Sequence, residues 1–264
     1  MYDFNYHRPG SVGDAAAALA KASDGKLVAG GMTLIPTLKQ RLANPSDVID
    51  LGGIAELKGI KDEGGSIVVG AMTPHAEVAA SALVKSRIPA LAALADSIGD
   101  PQVRNRGTIG GSIANNDPAA DYPAACLGLG ATIRTNKRSI AADDFFKGMF
   151  ETALGEGEII TAVAFPVPAK AGYAKFPNPA SRYAIVGVFA AKTAAGARVA
   201  VTGAGPCVFR DKGIEQALSG SWSADAVKGS SAAAGSLNSD IHASSEYRAH
   251  LIGVMAKRAV QAAG

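Results

Sequence analysis

Gly107-Thr108-Ile109-Gly110-Gly111-Ser112-Ile113-Ala114-Asn115-Asn116 is the stretch whose reading decides the fold. Two adjacent glycines follow a threonine and an apolar residue and precede a small polar one. Lacking a Cβ, glycine lets the backbone turn tightly and lie directly against a ligand. Consecutive main-chain N–H groups in such a turn form a concave anion site. A second pair stands upstream in Leu27-Val28-Ala29-Gly30-Gly31-Met32-Thr33-Leu34. A lone glycine pair usually only turns the chain. Two of them predict a ligand with two phosphates, with backbone amides around Gly110 meeting the pyrophosphate in a loop at a ligand surface.

Around the upstream pair the pattern is β-turn-α-β. Ser11, with Asp14 three residues on, opens an alanine-rich helix to Ala22. Lys26 to Ala29 reads as a short strand entering the glycines. Leu34, Leu38 and Leu42 then mark one helix face that ends before Pro45, and Asp47 to Leu51 reads as the next strand. A glycine loop at the carboxyl end of a strand is where open α/β sheets bind ligands. Neither loop has G-x-G-x-x-G spacing, and no Gly-Lys-Ser/Thr follows either, so a Rossmann or P-loop reading has no motif.

Downstream the texture changes. Leu57 to Ile60 and Ser66 to Ala71 flank the turn Asp62-Glu63-Gly64-Gly65 and predict a hairpin. Short helices are expected from Thr73-Pro74 and over Pro89 to Ile98, and short strands around Ala131 to Thr135 and Ile159 to Phe165. Pro166, Pro168, Pro177 and Pro179 mark a boundary. Beyond it, Tyr183 to Ala191 and Arg198 to Ala204 predict antiparallel strands around Ala194-Ala195-Gly196. Ser230 to Leu237 is expected to be helical. Ser245 to Ala262 predicts a helix with Tyr247, Leu251, Val254, Met255 and Ala259 inward.

The 264 residues carry 26 Lys+Arg against 23 Asp+Glu, a balance that argues against nucleic acid. No apolar run approaches the roughly 18 residues of a membrane span, and Met1-Tyr2-Asp3-Phe4-Asn5 does not read as a signal peptide. Cys126 and Cys207, the only cysteines, are too few for an iron–sulfur cluster or structural zinc. They point to buried thiols in a cytoplasmic protein. The four histidines have no metal spacing; His75, beside Thr73, is expected to be solvated or capped rather than turned to a ligand. Asp143-Asp144 and Asp117/Asp121 are carboxylate pairs with no sign of a flanked glycosidic cleft. Two phosphate cradles without a catalytic constellation predict a redox cofactor that does the chemistry while the protein holds it.

Several motifs then occur in one order: Ala29-Gly30-Gly31-Met32-Thr33-Leu34, Val69-Gly70-Ala71-Met72-Thr73, Arg104-Asn105-Arg106-Gly107-Thr108-Ile109-Gly110-Gly111-Ser112, Asp117-Pro118-Ala119-Ala120-Asp121-Tyr122-Pro123, Ser181-Arg182-Tyr183-Ala184-Ile185-Val186 and Glu246-Tyr247-Arg248. Together they resemble the FAD-binding medium subunits of molybdenum hydroxylases, the carbon monoxide dehydrogenase and xanthine dehydrogenase group. The resemblance covers nearly the whole chain. It implies an α+β, vanillyl-alcohol-oxidase-like (PCMH-type) FAD-binding domain over 1–170, made of two α/β subdomains (about 1–54 and 55–170). A C-terminal domain of antiparallel sheet and helices then covers 171–264.

The resemblance also implies a site. Leu27, Val28, Ala29, Gly30, Gly31, Met32, Thr33 and Leu34, with Thr108, Ile109, Gly110, Gly111 and Ser112, are expected to line FAD held without a covalent bond. Asn115 is expected near the flavin ring, and Asp121 to accept a hydrogen bond from a cofactor hydroxyl. Ile98, Ile160, Lys175 and Tyr183 complete the set. Met32 stands where many relatives have a polar residue, so only a main-chain contact is expected there. The chain itself supplies no catalytic residue and no metal ligand.

Such a subunit takes electrons from two [2Fe–2S] clusters on a small partner subunit, after substrate oxidation at molybdenum on a large one. It passes them to an external acceptor that the sequence leaves open among NAD, quinone, ferredoxin and oxygen. A dimer of heterotrimers is the implied assembly. The alternatives are a stand-alone flavin oxidase or dehydrogenase of the same fold, or a cofactor-free scaffold. The first usually has a dedicated substrate domain and a covalent flavin attachment; glycines kept in both loops argue against the second.

Overall fold

The structure is a computed structural model and describes residues 1–229 and 232–264. Its first layer is small and parallel. Strand β1 (Asn5–His7), helix α1 (Val12–Lys21), strand β2 (Gly25–Val28), helix α2 (Leu34–Lys39) and strand β3 (Asp47–Asp50) form a three-stranded sheet in the order β1-β3-β2. Asp47 lies opposite both Asn5 and Gly25, and both pairings are parallel. Ser11 caps α1, its hydroxyl accepting from the Asp14 amide at 3.1 Å. Helix α2 is shorter than the leucine spacing predicts. Arg41 takes φ +58°, and the Leu42 amide donates back to Thr37 O, leaving Leu42 74% exposed. These bonds, with Arg41 N to Leu38 O, make a Schellman ending, which stops a helix whatever apolar residue comes next.

The middle layer is an antiparallel sheet covered by helices. Strands β4 (Ile60–Glu63) and β5 (Ser66–Gly70) form the expected hairpin. Helices α3 (His75–Ala80), α4 (Ala82–Arg87), α5 (Pro89–Asp96), α6 (Pro101–Arg106), α7 (Ile109–Asn115) and α8 (Tyr122–Leu129) follow. Strands β6 (Thr132–Thr135) and β7 (Ser139–Ala141), helix α9 (Ala142–Phe145), the hairpin β8 (Phe146–Gly148) and β9 (Glu151–Thr152), and strand β10 (Ile160–Pro166) complete it. The sheet runs β4-β5-β10-β6-β7. Ile67, Val69, Leu91, Leu94, Ile109, Ile113, Ile133 and Phe165 fill the core beneath the helices.

Strand β11 (Lys170–Pro177) opens the third layer, with β12 (Ala184–Thr193), β13 (Gly196–Thr202), β14 (Phe209–Arg210), helix α10 (Lys212–Gly220) and the long helix α11 (Ser245–Ala262). Its sheet is antiparallel in the order β11-β12-β13-β14. One face packs Val186, Val188, Val199 and Val201 against Leu251, Ile252 and Met255 of α11. The opposite face sends Phe189, Ala191 and Ala200 into the middle core, where α8 lies. Helix α8 is therefore buried at all eight positions. A helix buried all round has no amphipathic period, which is why the sequence reading passes over it.

Three further expectations change. Strand β11 occupies what the prolines mark only as a boundary; it ends at Pro177, which a sheet-edge strand tolerates. Among the described residues of 230–237 only the turn Ala234–Ser236 is helical, and residues 230 and 231 lie outside the described residues. On α11 the buried stripe is rotated: Tyr247 is 44% exposed and Val254 half-buried, while Arg248 and Ile252 face inward. Arg248 can do so because Nη1 donates to the carbonyls of Ile185 at 2.6 Å and Gly203 at 3.0 Å, and Nη2 to Asp240 at 2.7 Å.

Arg248→Met keeps the length of the side chain and strands both carbonyls. At about 1–3 kcal/mol for each buried group left unpaired, it is expected to cost several kcal/mol of unfolding free energy in urea titration. A loss below about 1 kcal/mol would show that the guanidinium is not needed to satisfy those carbonyls.

Candidate cofactor-binding site

The site begins where two layers touch. After β2 the chain turns through Gly30 and Gly31, and that turn presses on the segment leading into α7. A Cβ on Gly30 would stand 2.0 Å from the Arg106 carbonyl oxygen and 2.8 Å from Gly107 Cα. Only a residue without a side chain allows this approach. Gly31 takes φ +75°, the left-handed region. Among the described residues, the N–H groups of Gly30, Gly31, Met32 and Thr33 donate to no acceptor in the chain. Four successive main-chain donors are thus available to a ligand.

The downstream pair is not a second loop of the same kind. Thr108 caps α7, its hydroxyl accepting from the Gly111 amide at 3.1 Å, and Ile109 to Asn115 is helix. The Ile109 amide donates to Thr73 O at 3.3 Å and the Gly110 amide to Ala71 O at 2.8 Å. The Gly110 amide is thus taken up inside the protein, at the capped start of a helix rather than in a surface loop. Gly110 is a glycine for a packing reason: its Cβ would lie 2.6 Å from Ala71 Cβ and 2.7 Å from Ala71 O.

Between the two segments lies a cleft of about 670 Å³, within the range of sites that bind cofactors. Of the residues anticipated from the sequence, Leu27, Ala29, Gly30, Gly31, Met32, Thr33, Leu34, Ile98, Thr108, Gly110, Gly111, Ser112, Asn115, Asp121, Ile160 and Tyr183 line it. Val28 and Ile109 do not; both point into cores, with 9% and 0% exposure. Period-two alternation explains Val28, since its neighbours Leu27 and Ala29 face the other way.

Lys26, His75, Asp117, Glu158 and Arg182 also stand on the wall outside the anticipated set, and two of them, His75 and Glu158, are buried. His75 is 5% exposed rather than solvated, and its ring lies 5.3 Å from that of Tyr122. Burial, with Arg104 nearby, pulls its pKa down to about 4. It is neutral at physiological pH. Glu158, 6% exposed, accepts from Arg138 Nε at 2.9 Å, Thr135 Oγ1 at 2.7 Å and the Gly155 amide at 2.8 Å. The Arg138 bond leads the causes that hold its pKa down at about 2. The one sequence sign of His75 was its place just after Thr73-Pro74; Glu158 carried none.

Lys175 is placed differently from its expected role. It is absent from the cleft wall and sits behind Asp121, with Nζ 3.0 Å from Asp121 Oδ1 and donating to Ser97 O at 2.9 Å. The Tyr173 hydroxyl also donates to Asp121 Oδ1. Asp121 is 4% exposed, and burial lifts its carboxyl above the usual range against the pull of Lys175 and Tyr173. Cys126 is buried and Cys207 half-buried, both as free thiols. Among the described residues there is no cluster able to hold a metal ion, and no helix is long and apolar enough to cross a membrane.

A mixed α/β fold whose inter-layer cleft offers a run of free main-chain donors is that of a protein able to hold an anionic cofactor. The comparisons carry this further. Residues 2–168 match the model of the FAD binding domain in molybdopterin dehydrogenase, and residues 171–263 that of the CO dehydrogenase flavoprotein C-terminal domain. The chain is 37% identical to the carbon monoxide dehydrogenase medium chain of Hydrogenophaga pseudoflava, covering 98% of this chain and 96% of that one. It is 36% identical, over the same shares, to the nicotine 6-hydroxylase medium subunit of Paenarthrobacter nicotinovorans. Among solved structures it superposes on a Cu,Mo-CO dehydrogenase in its cyanide-inactivated form with a TM-score of 0.91, at 35% identity, covering 100% of this chain and 98% of that one. Quinoline 2-oxidoreductase from Pseudomonas putida 86 gives 0.89 at 30% identity, covering 99% and 96%. The chain belongs to the family of FAD-binding medium subunits of molybdenum-containing oxidoreductases.

Two outcomes follow from the geometry. Gly30→Ala is expected to push the two segments apart and remove flavin, because its Cβ would meet main chain at their contact. Gly110→Val, by contrast, drives a branched side chain into Ala71 and is expected to lower apo stability by about 1–3 kcal/mol or more as well. Flavin content and apo denaturation of both variants check this; equal apo stability for Gly110→Val and wild type would restore the surface-loop reading.

The second outcome concerns pH. His75 has a folded pKa of about 4, below its ordinary value of about 6.5. The unfolded chain therefore takes up the proton first. The stability due to neutral His75 is complete above pH 6.5 and is lost as pH falls towards 4, by up to about 3 kcal/mol. Apo His75→Gln, compared with wild type by denaturant titration at pH 7 and 4.5, is expected to lose less stability on acidification. Parallel losses would show that His75 does not titrate in this window.

Proposed function

We propose that this chain is the electron-transfer subunit of a molybdenum hydroxylase and that the cleft holds FAD without a covalent bond. The observation that carries the reading is the run of free amides from Gly30 to Thr33 on one wall of a cleft built by two layers. FAD bound there supplies the redox chemistry that the chain's own side chains lack. In this reading Gly30 to Thr33 hold the pyrophosphate. Gly111, Ser112 and Asn115 shape the wall formed by α7, and Asp121 accepts from a cofactor hydroxyl. Ile98, Ile160 and Tyr183 cover apolar parts of the cofactor. Residues 1–170 form the cofactor domain, with subdomains about 1–54 and 55–170, and 171–264 the C-terminal domain.

The chain receives electrons from [2Fe–2S] clusters of a small partner subunit, ahead of which a large subunit oxidises the substrate at molybdenum. An external acceptor then takes them. Three subunits pair as a dimer of heterotrimers in the cytoplasm. The medium chains and subunits among the relatives support this division of labour.

Purification from the natural host tests the whole reading. Flavin, iron and molybdenum are expected to co-elute with this chain, and acid is expected to release FAD into the supernatant. Flavin retained by the precipitate would overturn noncovalent binding, released FMN the dinucleotide, and a monomer that oxidises a substrate unaided the electron-transfer role.

A further inference from the structure

Asp121, a buried carboxylate on the cleft wall, is held from behind by the C-terminal sheet. Tyr173 and Lys175 alternate on one face of β11 and converge on the same oxygen of Asp121. Lys175 is fixed in turn by the Ser97 carbonyl just after α5. Gly187 of β12 lies opposite Lys175 in the ladder. A Cβ there would come within 2.5 Å of the Tyr173 hydroxyl. The glycine leaves the space in which that hydroxyl sits.

We infer that Tyr173, seated over Gly187, is a positioning residue: with Lys175 it occupies Oδ1 of Asp121 and leaves the rest of that carboxylate, in its ionised form, as the acceptor that the bound cofactor meets. The inference rests on the FAD reading above. Its physical basis is that a donor to the charged form of a carboxyl favours that form, as does a cation at 3.0 Å. Burial acts in the other direction. Without its two partners the acid would lose its proton only at higher pH. The other titratable groups around it are Tyr122, next in the chain, with Tyr183 and Asp117 at the cleft; the two tyrosines are held neutral by burial first, then by Cys126 beside Tyr122 and Asp117 beside Tyr183, and by Asp121 itself.

The test is the FAD dissociation constant of the deflavinated full chain, followed by flavin fluorescence from pH 4.5 to 8. Wild type is expected to bind FAD more weakly as pH falls through the Asp121 ionisation. Tyr173→Phe removes one hydrogen bond to the charged form, so that midpoint is expected to rise by about one pH unit. Gly187→Ala is expected to raise it as well, although the tyrosine keeps its hydroxyl. Asp121→Asn is expected to abolish the step in all backgrounds, which separates it from titration of His75.

Equal weakening at every pH in Tyr173→Phe, with the midpoint unmoved, would make the tyrosine a packing residue only and overturn the inference. So would a step that survives Asp121→Asn. Failure of wild type to bind FAD at any pH would instead overturn the cofactor reading on which the inference rests. Circular dichroism of each variant identifies those that do not fold; should Gly187→Ala fail to fold, the Tyr173→Phe midpoint decides alone.

Discussion

The contact on which the rest depends is backbone against backbone: Gly30 on the peptide that joins Arg106 to Gly107. At that separation no side chain fits, so at this point the small parallel layer and the helical middle layer meet through bare main chain. The consequence is electrostatic as much as steric. A turn pressed flat against another segment has no room to curl its own amides back onto carbonyls, and Gly30 to Thr33 keep theirs free. Unpaired donors at the mouth of a cleft are costly unless something takes them up. The free amides thus lie where Gly30 presses on the Arg106–Gly107 peptide.

Around that contact the other glycines serve packing. Gly107 has His75 Nε2 against it, and Gly110 has Ala71. Together with the bonds from the Ile109 and Gly110 amides to Thr73 and Ala71, they clamp the start of α7 to the end of β5. One wall of the cleft is thus a rigid helix and the other an open turn. Ligand donors on the open side and shape on the rigid side is a division that the two similar-looking Gly-Gly pairs conceal.

This is also the limit of what the residues told in advance. That both glycine pairs belong to one site was legible, because glycine pairs after a strand and after a basic segment imply close approach. Which pair keeps free amides was not, since it depends on whether Ala71 and Thr73 come within hydrogen-bond reach, a contact between distant segments. Helix α8 was invisible for lack of a polar face, and Leu42 misled because a Schellman turn overrode its spacing. Lys175 is off the cleft wall and against Asp121: sequence order cannot say whether a lysine meets a ligand or the carboxylate behind it. Arg248 was overlooked as an inward residue because two of its three partners are backbone carbonyls, which carry no residue identity.

The ion pair at Asp121 changes what the C-terminal layer is for. Asp121 lies within the FAD-binding match and Tyr173 and Lys175 within the C-terminal match. The floor of the cleft is therefore assembled across the junction of the two family domains. Strand β11 carries the two donors, β12 supplies the glycine that seats one of them, and α8 begins at the residue they hold. Helix α8 is in turn packed between the middle layer and the C-terminal sheet, so its first residue has little freedom to shift. The sheet presses α8 into place and fixes the carboxylate at its start, and both effects need β11 and β12 in register. The relatives act on carbon monoxide, nicotine and quinoline by their names, yet share this whole length of chain. The likeness runs through both family domains whatever substrate the relative's name gives, which fits a cleft whose buried carboxylate is held from the second of them.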